Sequence, residues 1–330
     1  MATLTLTRRL PGVLRWGPGM SEVVAVALHS HLRVVQDGLA PLLPKLPRTQ
    51  LGELARLDDL AWHRLLADPS AFGLLKGGLG RAEPAADVEA LLERVRARPG
   101  LRVHGIEVDT SSRRTAPVFA RVDAAFNGAS DYGGAELGQL ERLLGATLTA
   151  AASNEHVETL ITGCVRVISM RREASRAPSS SSWPSLPGYI RLWNAEQGDL
   201  ALRVDAVIHE AVHCLLYMIE EQENWFTDQA AAWGSSMRSL WSGRDLPLHS
   251  FVHACFVWFA LTCFWAEARV EGADDMFRRA ATGFDGGRLP AVVRSMRAVD
   301  VGVREVLLDL AAQAEEVLAR RATRLREPVR

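Results

Sequence analysis

The stretch DAVIHEAVHCLLYMIEE, residues 205–221, predicts a buried helix that carries two histidines. His209 and His213 are four residues apart, and this spacing places both imidazoles on one face of a helix, where they can reach one cation together. Glu210 follows the first histidine and projects beside such a cation. The stretch therefore predicts a metal site on a helix.

A second pair of histidines with the same spacing follows in SLWSGRDLPLHSFVHACFVWF, residues 239–259. A helix that starts near Pro247 places His249 and His253 on one face. His253 lies within an apolar run, where a histidine without a partner is costly, so we predict that it is the third metal ligand. For His249 we predict a hydrogen bond to substrate or cosubstrate, with a structural or surface role as the alternative.

Acidic residues supply further candidates for a third ligand and for a group that orients a ligand histidine. The metzincin class is excluded, because Leu216 and Ile219 occupy the positions of its glycine and third histidine. An acid from a following helix is another source of a third ligand, and an acid near the motif could orient a histidine. The candidates are Asp228 and Glu267 for the ligand and Asp199 and Asp205 for the orienting group.

Composition narrows the class of protein. The 330-residue chain is 48% hydrophobic and 23% charged, with a formal net charge of −1 at pH 7. Such a chain can bury a large core, and its near-neutral charge creates no field that favours nucleic acid or an anionic membrane. We therefore predict no nucleic-acid partner and no membrane partner.

The cysteines and the first residues indicate the compartment. The cysteines stand in apolar surroundings without a C-x-x-C pair, which predicts reduced core thiols rather than disulfides. Pro11 and Gly12 interrupt the N-terminus before an apolar signal core forms. We therefore predict a cytoplasmic protein. The four cysteines are Cys164, Cys214, Cys255 and Cys263.

One segment imitates a membrane span. FVHACFVWFALTCFWAEA, residues 251–268, is apolar from Phe251 to Ala266 except for His253 and Thr262. A membrane span needs about 20 such residues, so this run is too short. It predicts a buried helix of a soluble protein.

The remaining pattern predicts a mostly α-helical fold with a minor β component. Residues 1–150 form a mainly helical N-terminal region and residues 151–330 the metal-binding catalytic region, and we expect the two to make one compact unit. Apolar spacing predicts helices within 21–98 and at 200–223, 247–271, 273–283 and 290–322. β-Branched residues predict strands at 101–109, 116–126, 157–170 and 189–194.

Residues 171–188, RREASRAPSSSSWPSLPG, are rich in serine and proline, which predicts a loop. The loop is either a solvated connection or a lid or peptide-binding arm beside the metal. Several tryptophans surround the motif in sequence, and we expect most in the core and one or two in the wall of a peptide site. They are Trp193, Trp225, Trp233 and Trp241.

Three segments between residues 185 and 270 together resemble a known family. PGYIRLW, VIHEAVHCLL and LWSGRDLPLHSFVHACFVW resemble the HExxH-type, 2-oxoglutarate-dependent peptide β-hydroxylases that modify ribosomally synthesised precursor peptides. The resemblance implies a mostly helical fold, unlike the double-stranded β-helix of other oxygenases. It also implies Fe(II), with 2-oxoglutarate and O2 as cosubstrates, and hydroxylation of a β-carbon in a precursor peptide. The iron ligands it implies are His209, His213 and His253.

The chemistry of such a site predicts a cation for the cosubstrate. Three protein ligands on Fe(II) leave positions for a 2-oxo acid and for O2. The forked guanidinium of arginine matches a carboxylate, so Arg244 or Arg238 is the expected partner of 2-oxoglutarate, with an ordinary solvated charge as the alternative.

Two other functions stay open on sequence alone. In a zinc-dependent HExxH metallopeptidase, Glu210 would be the general base on a metal-bound water. In the oxygenase, Glu210 is not required as a base and could bind the metal or orient the site. The third possibility is a catalytically inactive module that binds a leader peptide and holds no metal.

Overall fold

The computed structural model describes residues 5–78, 89, 91–93, 101–110 and 132–324. Within these residues helices predominate and the strands form one small mixed sheet and one hairpin. The predicted mostly α-helical fold with a minor β component is therefore confirmed. The strand predicted at 116–126 lies outside the described residues.

The helices have the following bounds. The α-helices are Leu10–Val13, Met20–Leu39, Arg48–Leu54, Asp59–Ala67, Pro69–Gly78, Leu137–Ala151, Glu155–Cys164, Leu200–Glu220, Gln229–Gly234, Leu248–Glu267, Ala273–Ala281, Leu289–Ser295 and Val301–Arg324. Short 3-10 helices are Thr7–Arg9, Ala40–Lys45, Gly134–Glu136, Ala195–Gln197 and Asp285–Gly287.

Two long helices carry the four histidines of the sequence motifs. The motif helix, Leu200–Glu220, begins after Asp199, whose carboxylate accepts a hydrogen bond of 2.7 Å from the backbone N–H of Leu202. An aspartate at this position satisfies one of the free N–H groups of the first turn. Asp199 therefore caps the helix rather than orienting a histidine.

The second long helix, here the apolar helix, runs from Leu248 to Glu267 and follows Pro247. By length and hydropathy it could cross a membrane, but 89% of its most apolar 18-residue window is buried inside the protein. It packs against the motif helix and against Ala273–Ala281 and Val301–Arg324. The predicted buried helix is thus confirmed, and it forms the centre of the core.

The sheet lies beside the motif helix. Its strands are β1 Leu101–Val103, β2 Ile106–Asp109, β3 Val167–Arg171, β4 Ser179–Ser182 and β5 Tyr189–Trp193. Their order is β1-β2-β3-β5-β4, in which β3 is parallel to both β2 and β5, while β1 and β4 pair antiparallel with their neighbours. A separate antiparallel hairpin joins β6 Ser236–Arg238 to β7 Asp245–Pro247.

Two expectations about the elements before the motif helix were wrong. The strand predicted at 157–170 is a helix as far as Cys164 and a strand only from Val167. Asn154 caps that helix by accepting hydrogen bonds from two backbone N–H groups, and packing of its apolar face overrides the β-branched composition. The predicted loop 171–188 contains β4, because the neighbouring strand β5 supplies hydrogen-bonding partners to four serines of low strand propensity.

The helix predicted at 290–322 is divided in two. Leu289–Ser295 and Val301–Arg324 flank a turn, in which the backbone of Ala298 accepts a hydrogen bond from Thr227 and that of Asp300 donates one to Trp225. The segment thus pairs with the chain that follows the motif helix. These tertiary hydrogen bonds replace the helical ones that the periodicity predicts.

One apolar core contains residues from both predicted regions. Leu10, Val23 and Leu144 belong to it together with Ile208 and Phe256 of the two long helices. The histidines therefore lie in helices that are fixed on several sides by the main core.

Candidate metal centre

The packing of the two long helices brings the two histidine pairs together. His209 and His213 are one turn apart on the motif helix, with ring centroids separated by 5.0 Å. His249 and His253 stack on the apolar helix at 4.4 Å. Between the helices, the Nδ1 atoms of His213 and His253 are 3.4 Å apart. The packing of the two helices thus brings one histidine of each pair into contact.

The distance between His213 and His253 suits a shared cation. Two nitrogens that each lie about 2.1 Å from one metal ion are separated by roughly 3.0–3.4 Å when the angle at the metal is between octahedral and tetrahedral. His253 is only 1% exposed and His213 is half-buried. His209, the third predicted ligand, lies on the next turn of the same helix face.

A carboxylate that the sequence analysis did not single out completes the cluster. Nε2 of His249 and Nε2 of His253 lie 2.8 Å and 3.0 Å from Oε2 of Glu220, at the end of the motif helix. Glu220 is seven residues after His213, and that spacing of two turns keeps it on the same helix face. The spacing was a usable signal within the motif stretch itself.

Glu220, His249 and His253 could also hold a cation themselves. Their ligand atoms all lie within 4.8 Å of one another, and among the described residues no other group of three or more His, Cys, Asp or Glu side chains meets that limit. His253 therefore has two possible roles. It can bind a cation with His213 through Nδ1 while Nε2 donates to Glu220, or bind one through Nε2 together with Glu220 and His249.

Electrostatics prepares the cluster for a cation. Burial raises the pKa of Glu220, but the hydrogen bonds from His249 and His253 outweigh burial and bring the pKa to about 2, so the side chain is a carboxylate at neutral pH. Burial lowers the pKa of His209 to about 4 and that of His213 well below its ordinary value. Neutral imidazoles offer the lone pairs that a metal requires.

Glu210 is held by the strand β4. Its two carboxylate oxygens accept hydrogen bonds from the hydroxyls of Ser180 and Ser182, at 2.7 Å and 2.6 Å. Burial raises its pKa to about 7, against the effect of the serine bonds. The predicted loop therefore supplies two donors that fix the glutamate of the HExxH motif.

Neither predicted arginine contacts the histidines. Arg238 and Arg244 belong to the β6–β7 hairpin, which turns at Gly243 with a positive φ of 63°. Arg238 forms an ion pair with Asp245 at 3.5 Å and its side chain is 71% exposed, while Arg244 is also exposed. Within the described chain no contact joins either guanidinium to the cluster.

The four acids predicted as ligands or orienting groups are engaged elsewhere. Asp205 accepts a hydrogen bond from the indole N–H of Trp265 at 2.7 Å. Asp228 caps the helix Gln229–Gly234, and Glu267 pairs with Arg324 at 2.7 Å. With Asp199 at the start of the motif helix, all four have structural partners, and the acid that contacts the histidines is Glu220.

Aromatic rings surround the cluster. Tyr217 lies beside both His213 and His253, with ring centroids at 5.7 Å and 5.1 Å, and the buried ring of Trp225 is 5.4 Å from His253. Trp233 stacks on His249 at 4.1 Å and is 51% exposed. One predicted tryptophan is thus part of the core at the site and another covers its solvent side.

In the described chain the other two predicted tryptophans have no ring contact with the four histidines, although Trp193 lines a cavity beside His209. Trp193 is buried in β5. Trp241 packs against Phe251, Trp258 and Phe284, and its indole donates to the carbonyl of Ala280.

Two cavities reach the cluster. The larger, of about 440 Å³, is lined by Tyr217, Glu220, Trp233 and His249 together with Pro184 of the serine-rich segment. The smaller has a volume of about 260 Å³. Its lining includes Ser180, Trp193, Asp205, His209, Glu210 and Arg279. His249 therefore borders the larger cavity and His209 the smaller one.

A scan against protein-family models finds no match for the chain, and a search of curated proteins finds no significant match.

Proposed function

We propose that this protein is an Fe(II)- and 2-oxoglutarate-dependent oxygenase that hydroxylates the β-carbon of a residue in a ribosomally synthesised precursor peptide. The observation that carries the proposal is the 3.4 Å separation of the Nδ1 atoms of His213 and His253 within a buried cluster that also contains Glu220. The resemblance of residues 185–270 to the HExxH-type peptide β-hydroxylases supports the same function.

The ligands we assign are His209, His213 and His253. Glu220 accepts the Nε2 proton of His253 and so leaves Nδ1 directed at His213. Metal-binding histidines commonly donate their second ring N–H to a carboxylate, which fixes the ring and its tautomer. The pair His213 and His253, backed by a carboxylate, suits Fe(II), whereas His209 is one turn away and its ligand atoms do not lie within 4.8 Å of both partners, so binding of the ion would have to draw it in. Three protein ligands would then leave positions for 2-oxoglutarate and O2.

Fe(II), when bound, would supply the activation of O2 that is coupled to decarboxylation of 2-oxoglutarate. The chain's own residues would position the reactants. Burial of His253 keeps water from its ring, and the larger cavity, with Trp233 and Tyr217 in its wall, offers an aromatic surface to a peptide side chain. His249 is buried at the wall of this cavity and is held by Glu220, so it could contact a substrate that enters the cavity.

The arrangement of Glu210 favours the oxygenase over a zinc peptidase. A general base needs a carboxylate directed at the metal-bound water. Here each oxygen of Glu210 accepts a serine hydroxyl from β4. We infer that Glu210 holds the strand against the motif helix and shapes the smaller cavity.

The protein's surroundings follow from the same proposal. All four cysteines are buried and free, and a reducing compartment keeps thiols in that form, so we infer a cytoplasmic location. The partner we expect is the precursor peptide, without nucleic acid or membrane.

The test is anaerobic binding to the purified metal-free protein. Fe(II) followed by 2-oxoglutarate should produce the weak visible charge-transfer band of a 2-oxo acid bound through two oxygens, and His253→Ala should abolish it. His29→Ala, at an exposed position, is the matched control and should keep the band. Tight Zn(II) binding without any band would support the peptidase, and the absence of all metal binding would support the peptide-binding module.

A further inference from the structure

The smaller cavity is lined by an arginine that the sequence analysis did not single out. Arg279 lines it together with His209 and Glu210. At about 260 Å³ the cavity is below the roughly 300–1,000 Å³ of pockets for drug-sized ligands, so its size suits a small metabolite.

Arg279 lines this cavity beside His209 and is also exposed to solvent. It belongs to the helix Ala273–Ala281, which packs on the apolar helix. Its guanidinium carbon lies 5.5 Å from the centre of the Trp258 ring, and the same ring meets His209 edge-on at 5.5 Å. A cation–π contact with a tryptophan favours this position of the guanidinium while its N–H groups stay available to an anion.

The other charged side chains of the cavity are bound within the protein. Arg203 donates to the carbonyls of Ala195 and Gly198 and to the hydroxyl of Thr147. Asp205 accepts from the indole of Trp265, and Glu210 accepts from two serines.

Arg279 differs from these groups and from its neighbour on the same helix. Arg278 pairs with Asp275, whereas no carboxylate of the described residues forms an ion pair with Arg279. The guanidinium of Arg279 is therefore the charged group of this cavity with donors left for a ligand.

We propose that Arg279 binds the distal carboxylate of 2-oxoglutarate in the smaller cavity, beside His209. This inference rests on the proposed function and replaces Arg238 and Arg244 as the anchor. A guanidinium matches a carboxylate through two parallel hydrogen bonds. The cosubstrate then occupies the smaller cavity, and the larger cavity beside Trp233 is left for the peptide.

The experiment titrates the anaerobic Fe(II) protein with two acids and follows the charge-transfer band. 2-Oxoglutarate carries the distal carboxylate, and 2-oxopentanoate has a methyl group in its place. Arg279→Met should weaken the binding of 2-oxoglutarate by about 10- to 100-fold, because one charged hydrogen-bonding pair is lost. The affinity for 2-oxopentanoate should not change. Arg278→Met is the matched control on the same helix and should bind both acids as the wild type does.

The outcomes separate this inference from the proposed function. If wild type shows the band and Arg279→Met binds 2-oxoglutarate with the same affinity as wild type, Arg279 is not the anchor. The same conclusion follows if Arg279→Met binds both acids more weakly by the same factor. Both results leave the oxygenase proposal intact. The role of Arg279 would also be overturned if Arg244→Met, rather than Arg279→Met, bound 2-oxoglutarate more weakly without a change for 2-oxopentanoate. Absence of the band in wild type with either acid would contradict the oxygenase itself and the inference with it.

Discussion

His253 is the central residue of the site, because each of its ring nitrogens contacts a different partner. Nδ1 faces His213 at 3.4 Å and Nε2 faces Glu220 at 3.0 Å. An imidazole that binds a metal through one nitrogen needs a proton acceptor at the other to hold its tautomer. The pattern at His253 is the one expected of a ligand, with Glu220 as its acceptor.

The role of Glu220 can be tested by one conservative change. We expect Glu220→Gln to retain Fe(II) at one ion per chain but to weaken its affinity by about 10- to 100-fold, because an amide oxygen is a poorer acceptor for His253. His253→Ala should lose the ion. Competition with a coloured chelator measures both affinities.

Glu221→Gln is the control for Glu220, since both acids line the larger cavity. It should bind Fe(II) like the wild type. If Glu220→Gln instead loses the ion as completely as His253→Ala does, Glu220 is itself a ligand, and the centre consists of Glu220, His249 and His253.

Glu210 gives a second prediction at the same scale. Glu210→Gln should keep the metal and lower turnover of 2-oxoglutarate by less than about tenfold, because the change alters one hydrogen bond to a serine and removes no base. A general base would cost about 10²–10⁴-fold on removal. Release of CO2 from labelled 2-oxoglutarate measures turnover. A loss of about 10²–10⁴-fold would favour the peptidase.

The sequence predicts the histidines better than it predicts their neighbours. HExxH and the second pair are local patterns with helical spacing, so the rings on each helix follow from the chain alone. The contact between His213 and His253 and the position of Arg279 depend on how separate helices pack, which no local pattern records. Glu220 is intermediate in how well the sequence predicts it. Its spacing from His213 is a local pattern, but glutamates at helix ends are common.

At the scale of elements, β4 explains how a serine-rich segment serves the site. Alternate residues of a strand point to opposite faces, so Ser180 and Ser182 face the motif helix together while Ser181 faces away. Their hydroxyls reach the two oxygens of Glu210. The segment is thus a strand edge that fixes one motif residue, a role that composition alone did not indicate.

This alternation predicts different effects for neighbouring serines. Ser182→Ala leaves one oxygen of the buried Glu210 without its donor and should lower the free energy of unfolding by about 1–3 kcal/mol. Ser181→Ala, the matched control in the same strand, should change it by less than about 0.5 kcal/mol. Urea unfolding of both variants measures the difference, and equal losses would show that β4 does not depend on Glu210.

The elements differ in how far the sequence predicts them. The motif helix and the apolar helix follow from long runs of buried residues and from their start signals at Asp199 and Pro247. The errors at 157–170 and 171–188 arise where β-branched residues sit in a packed helix and serines sit in a strand. In both places partners distant in sequence override local propensity.

For the whole molecule, the core fixes the cluster and at the same time desolvates it. The two long helices are packed among residues from Leu10 to Leu310 in one core. Burial lowers the pKa of His209, His213 and His253, so the folded metal-free protein keeps these rings neutral at pH values where an unfolded chain would protonate them. Stability of the metal-free protein must therefore depend on pH.

The sign follows for His209, whose pKa falls from 6.5 to about 4 on folding. Between these values the unfolded chain binds more protons, so stability falls as the pH is lowered through this window and is fully present above it. From pH 7 to pH 5 we expect His209 to account for a loss of about 2 kcal/mol.

Urea unfolding of the metal-free protein at the two pH values, in wild type and His209→Gln, measures this contribution as a difference. His209→Gln should lose about 2 kcal/mol less than wild type between pH 7 and pH 5, whereas His29→Gln at an exposed position should keep the wild-type dependence. Identical slopes in all three proteins would mean that water reaches His209 freely in the folded state. The smaller cavity would then be open to solvent, and an anion bound there by Arg279 would be screened and weak.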